Sequence, residues 1–316
     1  MSRNDPRAEE EAREEVTALR VLLARAIDYA GLFPPAQLDM PGAVAEYASY
    51  LASNDEWALG RFVVPAARLG ELAAAASDTL PEPSRDLQPA RRSSVVLGPD
   101  LAADVRVMDA FCAGEARNPD AWWGGVDSVE LRASTPDAIR EAMRVVPGRY
   151  ERYVEIPISG DVAPLVRTIR EAGAYAKVRT GGTSADAFPA SENVVRFLVA
   201  CLREEVPFKA TAGLHHPLRG DYPLTYEPGS ACGRMYGFLN VFLATAFLAS
   251  GLDAADARRL LEENDPAAVR LGSSEVSWRG NRLPVDRLAA SRSFLKSFGS
   301  CSFREPIDDL TALGLL

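Results

Sequence analysis

The sequence predicts an α/β fold: one (β/α)8-type barrel domain over residues 1–316, with a helical and hairpin insertion before its last strand. Three observations lead there. Short apolar strands alternate with helix-length segments along most of the chain, which implies a parallel sheet. With 316 residues and 47% hydrophobic content, the chain can bury the large core that a closed sheet requires. Finally, four successive strands carry a charged residue in the same phase of their alternation, which sends those side chains into one shared interior.

The elements follow in order. Residues 9–26 carry acids early and bases late, with Val16, Leu19, Leu22 and Leu23 at helical spacing, so they read as a surface helix. AIDYAGLFPPA (26–36) holds a first strand ending at Asp28 and Tyr29, then a turn forced by Pro34-Pro35. A helix over about 42–53, the strand RFVVPA (61–66) and an alanine-rich helix (67–78) come next. PEPSRDLQPARR (81–92) reads as a surface loop, because the alternation resumes directly after it.

SVVLG (94–98) precedes a helix over 100–113, and VDSVELRA (126–133) precedes one opened by Thr135-Pro136-Asp137, a cap followed by proline in the first turn. YVEIPI (153–158) leads to helix 162–172, which stops at Gly173. YAKVRTGG (175–182) leads to helix 191–204, and PFKATAG (207–213) follows. After Pro217 the rhythm changes. A proline- and glycine-rich loop (217–230) gives way to helices over about 232–250 and 253–264, then a hairpin-like stretch (268–284), helix 285–294 and a last strand, LKSFGSCSF (295–303). We read 217–294 as an insertion or cap over the barrel mouth rather than as two irregular βα units.

Composition removes several classes of function. A net charge of −9 argues against a nucleic-acid or anionic-membrane surface. The four cysteines, Cys112, Cys201, Cys232 and Cys301, form no CxxC pair, which is the usage of a reducing compartment. The charged N-terminus has no apolar signal segment. The longest apolar run, 236–251, is 16 residues with Asn240 inside it, short of the ~20 that span a bilayer. The expectation is a soluble, cytoplasmic protein acting on a small molecule, with homo-oligomerisation left open.

The strands carry the chemistry. Val129 and Leu131 oppose Glu130; Val154 and Ile156 oppose Glu155; Ala176 and Val178 oppose Lys177 and Arg179; Phe208, Ala210 and Ala212 oppose Lys209 and Thr211. A barrel strand packs its apolar face on helices, so Glu130, Glu155, Lys177, Arg179 and Lys209 are expected inside. If the Lys177 and Lys209 strands are neighbours in register, roughly 4.8 Å apart, like charge and desolvation are expected to lower a lysine pKa and make that amine a nucleophile or base. A salt-bridged polar plug is the competing account of the same pattern.

His215 and His216 follow the second lysine strand; on an extended loop they would point to opposite sides, with one as a general acid or base. Arg179 with Thr180, Gly181 and Gly182 suits a substrate carboxylate or phosphate. Thr211, His216, the strand-end residue Asp28 and Ser300 of the last strand complete the candidate contacts. Cys301 reads as a small buried residue.

From Asp127 to about Arg219 the chain resembles class I deoxyribose-phosphate aldolase. VDSVELRA, YVEIPI, EAGAYAKVRTGG and VPFKATAGLHHP look like that family's acidic strand, glutamate strand, KTSTG-like lysine strand and KASGG-like second lysine strand, in the same order. The resemblance implies a (β/α)8 barrel in which Lys177 forms an imine, Lys209 perturbs it and Glu130 relays protons. The family's phosphate-binding GGIR-like turn is AGLHHP here, and the stretch after Pro217 has no counterpart in it.

The reading is therefore a Schiff-base lyase of aldolase type, acting beside a carbonyl on a small metabolite with an acidic group. Lys177 is its nucleophile, and Lys209, Glu130, Glu155 and His215 assist. The imine is itself the electron sink, so no cofactor is expected. Two alternatives are a metal-dependent lyase or isomerase using Glu155 and a histidine, and a non-catalytic barrel that binds an anion.

Overall fold

A computed structural model of the chain describes residues 17–79, 92–115, 117, 123 and 125–316. The loop read at 81–92 falls outside these except for Arg92, as does the first helix before Thr17. Eight parallel strands close into a barrel: β1 (Ile27–Tyr29), β2 (Leu59–Pro65), β3 (Ser93–Val96), β4 (Val126–Arg132), β5 (Glu151–Glu155), β6 (Tyr175–Arg179), β7 (Phe208–Thr211) and, after a long excursion, β13 (Leu295–Ser300). β13 closes the ring by pairing in parallel with both β1 and β7.

The intervening helices are α1 (Thr17–Leu23), α2 (Met40–Leu51), α3 (Leu69–Thr79), α4 (Leu101–Glu115), α5 (Pro136–Val145), α6 (Ala163–Glu171) and α7 (Ser191–Arg203). Local sequence sets their ends. Thr135 accepts a hydrogen bond from the Ala138 amide at 3.1 Å, and Pro136 occupies the first turn, where its missing N–H costs nothing. Strand β5 stops at Glu155, because Pro157 cannot donate to a ladder. Outward residues Val129, Val154, Ala176, Val178 and Ala210 are fully buried against the helix layer, as the alternation requires.

Between β7 and β13 the chain forms an antiparallel hairpin, β8 (Gly220–Pro223) with β9 (Cys232–Met235). It continues through α8 (Phe238–Ala249) and α9 (Ala254–Leu261), then a three-stranded antiparallel sheet of β10 (Val269–Leu271), β11 (Glu275–Trp278) and β12 (Asn281–Pro284), and α10 (Val285–Ser291). The helix expected from 232 therefore starts at Phe238. Gly237 is extended, and a Cβ there would lie 2.2 Å from the Pro217 carbonyl, so the chain turns before it coils. The stretch 268–284 gains a third strand over the expected hairpin.

Helix α8 is buried on every side over Phe238–Phe247, with Phe238 stacked on Phe298 of β13 at 5.0 Å between ring centroids. Among the described residues, no helix is long and apolar enough to cross a membrane. Arg234 pairs with Asp221 in the hairpin, and the buried Asn240 donates to the Leu260 and Glu263 carbonyls. Both tie the excursion together. α11 (Arg304–Ala312) completes the fold.

The N-terminal end of the barrel is filled by an ionic plug. Arg61 donates from Nε to Asp127 Oδ1 at 2.9 Å and from Nη2 to Glu151 Oε2 at 2.8 Å, and its backbone amide donates to Asp28 Oδ1 at 2.9 Å. The C-terminal end opens instead into a cavity of about 1330 Å³.

Candidate active site

The register of β5, β6 and β7 sets Glu155, Lys177 and Lys209 in one row, and Arg132 of β4 pairs with Glu155 on the same level. Of the five charged residues singled out by alternation, Glu130, Glu155, Lys177 and Lys209 face the interior, while Arg179, at the end of β6, is exposed and reaches the cavity wall. Lys209 Nζ donates to Asp28 Oδ2 at 2.5 Å and to Glu130 Oε1 at 2.6 Å. Lys177 Nζ lies 2.7 Å from Glu130 Oε2 and 2.8 Å from Glu155 Oε2. The order around the interior is thus Asp28, Lys209, Glu130, Lys177, Glu155, with charge alternating at each step.

Glu155 Oε1 then meets Arg132 Nε at 3.0 Å and Arg179 Nε at 3.5 Å. Two hydroxyls brace the acids from strands on either side: Ser94 donates to Glu130 Oε1, and Ser297 to Asp28 Oδ2, each at 2.7 Å.

This arrangement corrects one expectation. The two ammoniums share one buried space, but a carboxylate stands between them. Burial works against the Lys209 ammonium, yet Asp28 and Glu130 outweigh it and leave its pKa above the ordinary value. Burial likewise opposes ionisation of Glu130, and Lys177 and Lys209 overcome that to hold the carboxyl well below the usual carboxylate range. Glu155 is lowered on the same balance, burial against Lys177 and then Arg179 and Arg132.

The cavity above this ring is lined by Glu130, Lys177 and Lys209 on its floor and by Arg132 and Arg179 on its wall. Thr211, Gly182, His215 and His216 also line it. The other predicted contacts lie behind the surface. Asp28 is buried beneath Lys209 and serves as that lysine's partner. Thr180 donates to the Ala212 carbonyl at 2.8 Å and fastens β6 to the end of β7. Gly181 is pressed against Gly213, and a Cβ on it would strike the Phe188 ring, so this glycine serves packing. Ser300 is buried, with Oγ 3.5 Å from His215 Nδ1.

Both histidines reach the cavity, contrary to the expectation of one. Ala212 and Gly213 adopt positive φ (62° and 72°), so the chain curls where an extended loop would have split the pair. His215 Nδ1 lies 2.9 Å from Glu305 Oε2, and His216 Nδ1 lies 2.6 Å from Asp309 Oδ2, both acids on α11. Burial alone would discharge His215, but its contacts with Cys301 and Glu305 prevail and push its pKa up to about 10. At neutral pH it is an imidazolium, an acid rather than a base.

A folded pKa raised above the unfolded 6.5 gives stability that is whole below pH ~6.5 and fades as pH rises through about 10. Glu305→Gln should therefore cost about 2 kcal/mol in urea unfolding at pH 6 and much less near pH 10.5. An equal cost at both pH values would remove the ion pair as its source.

Residues that the sequence reading passed over complete the site. Tyr226, at the turn of the β8–β9 hairpin, places its hydroxyl 3.3 Å from Cys301 Sγ and donates to Glu305 Oε2 at 3.0 Å. Tyr226, Cys301 and Glu305 all line the cavity. The small polar Ser94, among the apolar residues of SVVLG, was a legible sign of an inward-facing hydroxyl. Glu305 gave no sign, since it sits in an ordinary amphipathic helix.

Among the described residues, no three His, Cys, Asp or Glu side chains converge as metal ligands. The histidines pair with α11, and Glu155 is taken up by Lys177 and the arginines, so the metal reading's ligands are not brought together.

Fold and site together define a (β/α)8 barrel with an alternating lysine–carboxylate ring at the C-terminal mouth, where barrels of this type carry their functional groups. Comparison with protein-family models and with curated proteins found no match.

Proposed function

We propose that this protein is a lysine-dependent lyase of aldolase type, making or breaking a carbon–carbon bond beside a carbonyl through an imine on Lys177. The observation that carries the reading is the shared Glu130 carboxylate. Lys177 and Lys209 each hold one of its oxygens at the floor of a large cavity. Lys209 thereby competes with Lys177 for the same anion. The likeness of VELRA, AKVRTGG and FKATAG to the strands of class I deoxyribose-phosphate aldolase points the same way.

In this reading the Lys177 ammonium passes a proton to Glu155, 2.8 Å away. The free amine adds to the carbonyl carbon, and the oxygen leaves as water after protonation, with imidazolium His215 as the nearby acid. The iminium then accepts the electron pair of the breaking C–C bond and becomes an enamine, which a proton from the same acids quenches. Hydrolysis returns the amine. Borohydride reduction in the presence of a productive aldehyde or ketone should fix added mass on the peptide containing Lys177 and nowhere else.

A further inference from the structure

Glu155 ties the amine to two guanidiniums. One of its oxygens lies 2.8 Å from Lys177 Nζ, and the other meets Arg132 Nε and Arg179 Nε at 3.0 and 3.5 Å. Arg132 and Arg179 form part of the cavity wall, while Glu155 stands behind them with its side chain 10% exposed. Each arginine makes its closest approach to Glu155 through Nε. Among the described residues, their terminal nitrogens have no other hydrogen-bond or ion-pair partner. Two guanidinium edges at a cavity wall are donors that suit a planar carboxylate.

The spacing limits what that carboxylate belongs to. Amine and guanidine nitrogens are separated by one carboxylate group and two contacts, no more than about 8 to 9 Å end to end. A ligand that bonds covalently to Lys177 and by hydrogen bonds to either arginine is therefore short, and a 2-oxo acid is the smallest that carries both groups.

We propose that the substrate is a 2-oxo acid, its keto carbon at Lys177 and its carboxylate held by Arg132 and Arg179. The inference rests on the imine reading and narrows it. Amine addition to the ketone expels water and leaves a cationic iminium beside the carboxylate. The arginines position the acid and take no part in proton transfer, so they set binding rather than the chemical step.

The test is borohydride trapping of the whole chain with pyruvate, acetaldehyde and glyceraldehyde 3-phosphate, read by mass on the Lys177 peptide over a concentration series. Pyruvate should half-saturate at least tenfold below acetaldehyde. Arg132→Gln and Arg179→Gln should each raise the pyruvate half-saturation tenfold or more, and by a clearly larger factor than any change they cause with acetaldehyde. Trapping of acetaldehyde or of the phosphorylated aldehyde in preference to pyruvate overturns the 2-oxo acid assignment and leaves the imine standing. Equal effects of the arginine variants on pyruvate and acetaldehyde overturn the arginines' role. If none of the three labels Lys177, the imine reading falls, and this inference with it.

Discussion

Lys177→Met is expected to abolish borohydride trapping and turnover at every pH, because Lys209, the other amine at the cavity floor, is 1% exposed and held by Asp28 and Glu130. The comparison with Lys209→Met makes this specific. In Lys209→Met, Glu130 loses one of its two ammonium partners and is left to Lys177 alone, so the Lys177 ammonium is held more tightly. Trapping should slow at least tenfold at pH 7, which corresponds to about 1.4 kcal/mol, and recover part of the loss at alkaline pH. Loss of folding is not the expected cause in Lys177→Met. Glu130 keeps Lys209, and Glu155 keeps both arginines, so neither carboxylate is left without a cation. Circular dichroism and unfolding midpoints check that point. Turnover that survives Lys177→Met, or label found on the Lys209 peptide, would falsify the mechanism.

The largest stability effect is expected from Glu130→Leu, at about 3–5 kcal/mol near pH 7. The substitution removes the one anion that both lysines share and leaves each ammonium with a single carboxylate, Lys177 with Glu155 and Lys209 with Asp28. The pH dependence has a definite sign. The folded pKa of Glu130 is depressed, so its contribution is complete above the unfolded value of about 4.5 and is lost as pH falls toward the folded one. The gap between wild type and variant in urea unfolding should therefore narrow by about 2 kcal/mol on going from pH 7 to pH 3. A gap unchanged at pH 3 would trace the cost to packing.

Much of this site could be read from the chain because strand geometry has a period of two. Once Val129 and Leu131 face the helices, Glu130 has one direction left, and the same holds for Glu155, Lys177 and Lys209. Their partners could not be read. Asp28 lies in a strand of three residues, too short to show alternation, and meets Lys209 from 181 positions away in sequence. Pairing β13 with β1 brings Ser297 to the same carboxylate, a consequence of barrel closure with no local signature. The anion beneath Lys209 was thus invisible, and weighing the like charge of Lys177 without it gave the wrong direction for the Lys209 pKa. The start of α8 was misplaced because apolar residues of the β9 hairpin strand run on into the helix, and hydrophobicity does not mark the turn at Gly237.

The ionic plug of Arg61 with Asp127 and Glu151 has a kinetic consequence. It closes the barrel from below, and Asp28 and Lys209, each 1% exposed, lie between it and the cavity. Among the described residues, the way to Lys177 runs through the C-terminal opening. Two reactants that meet over that amine must queue: the one bonded to nitrogen occupies the deep position first, and the second closes the way out behind it. Release runs in the reverse sequence. A binding order is thereby imposed by the vessel itself, before any difference in affinity between the reactants is considered.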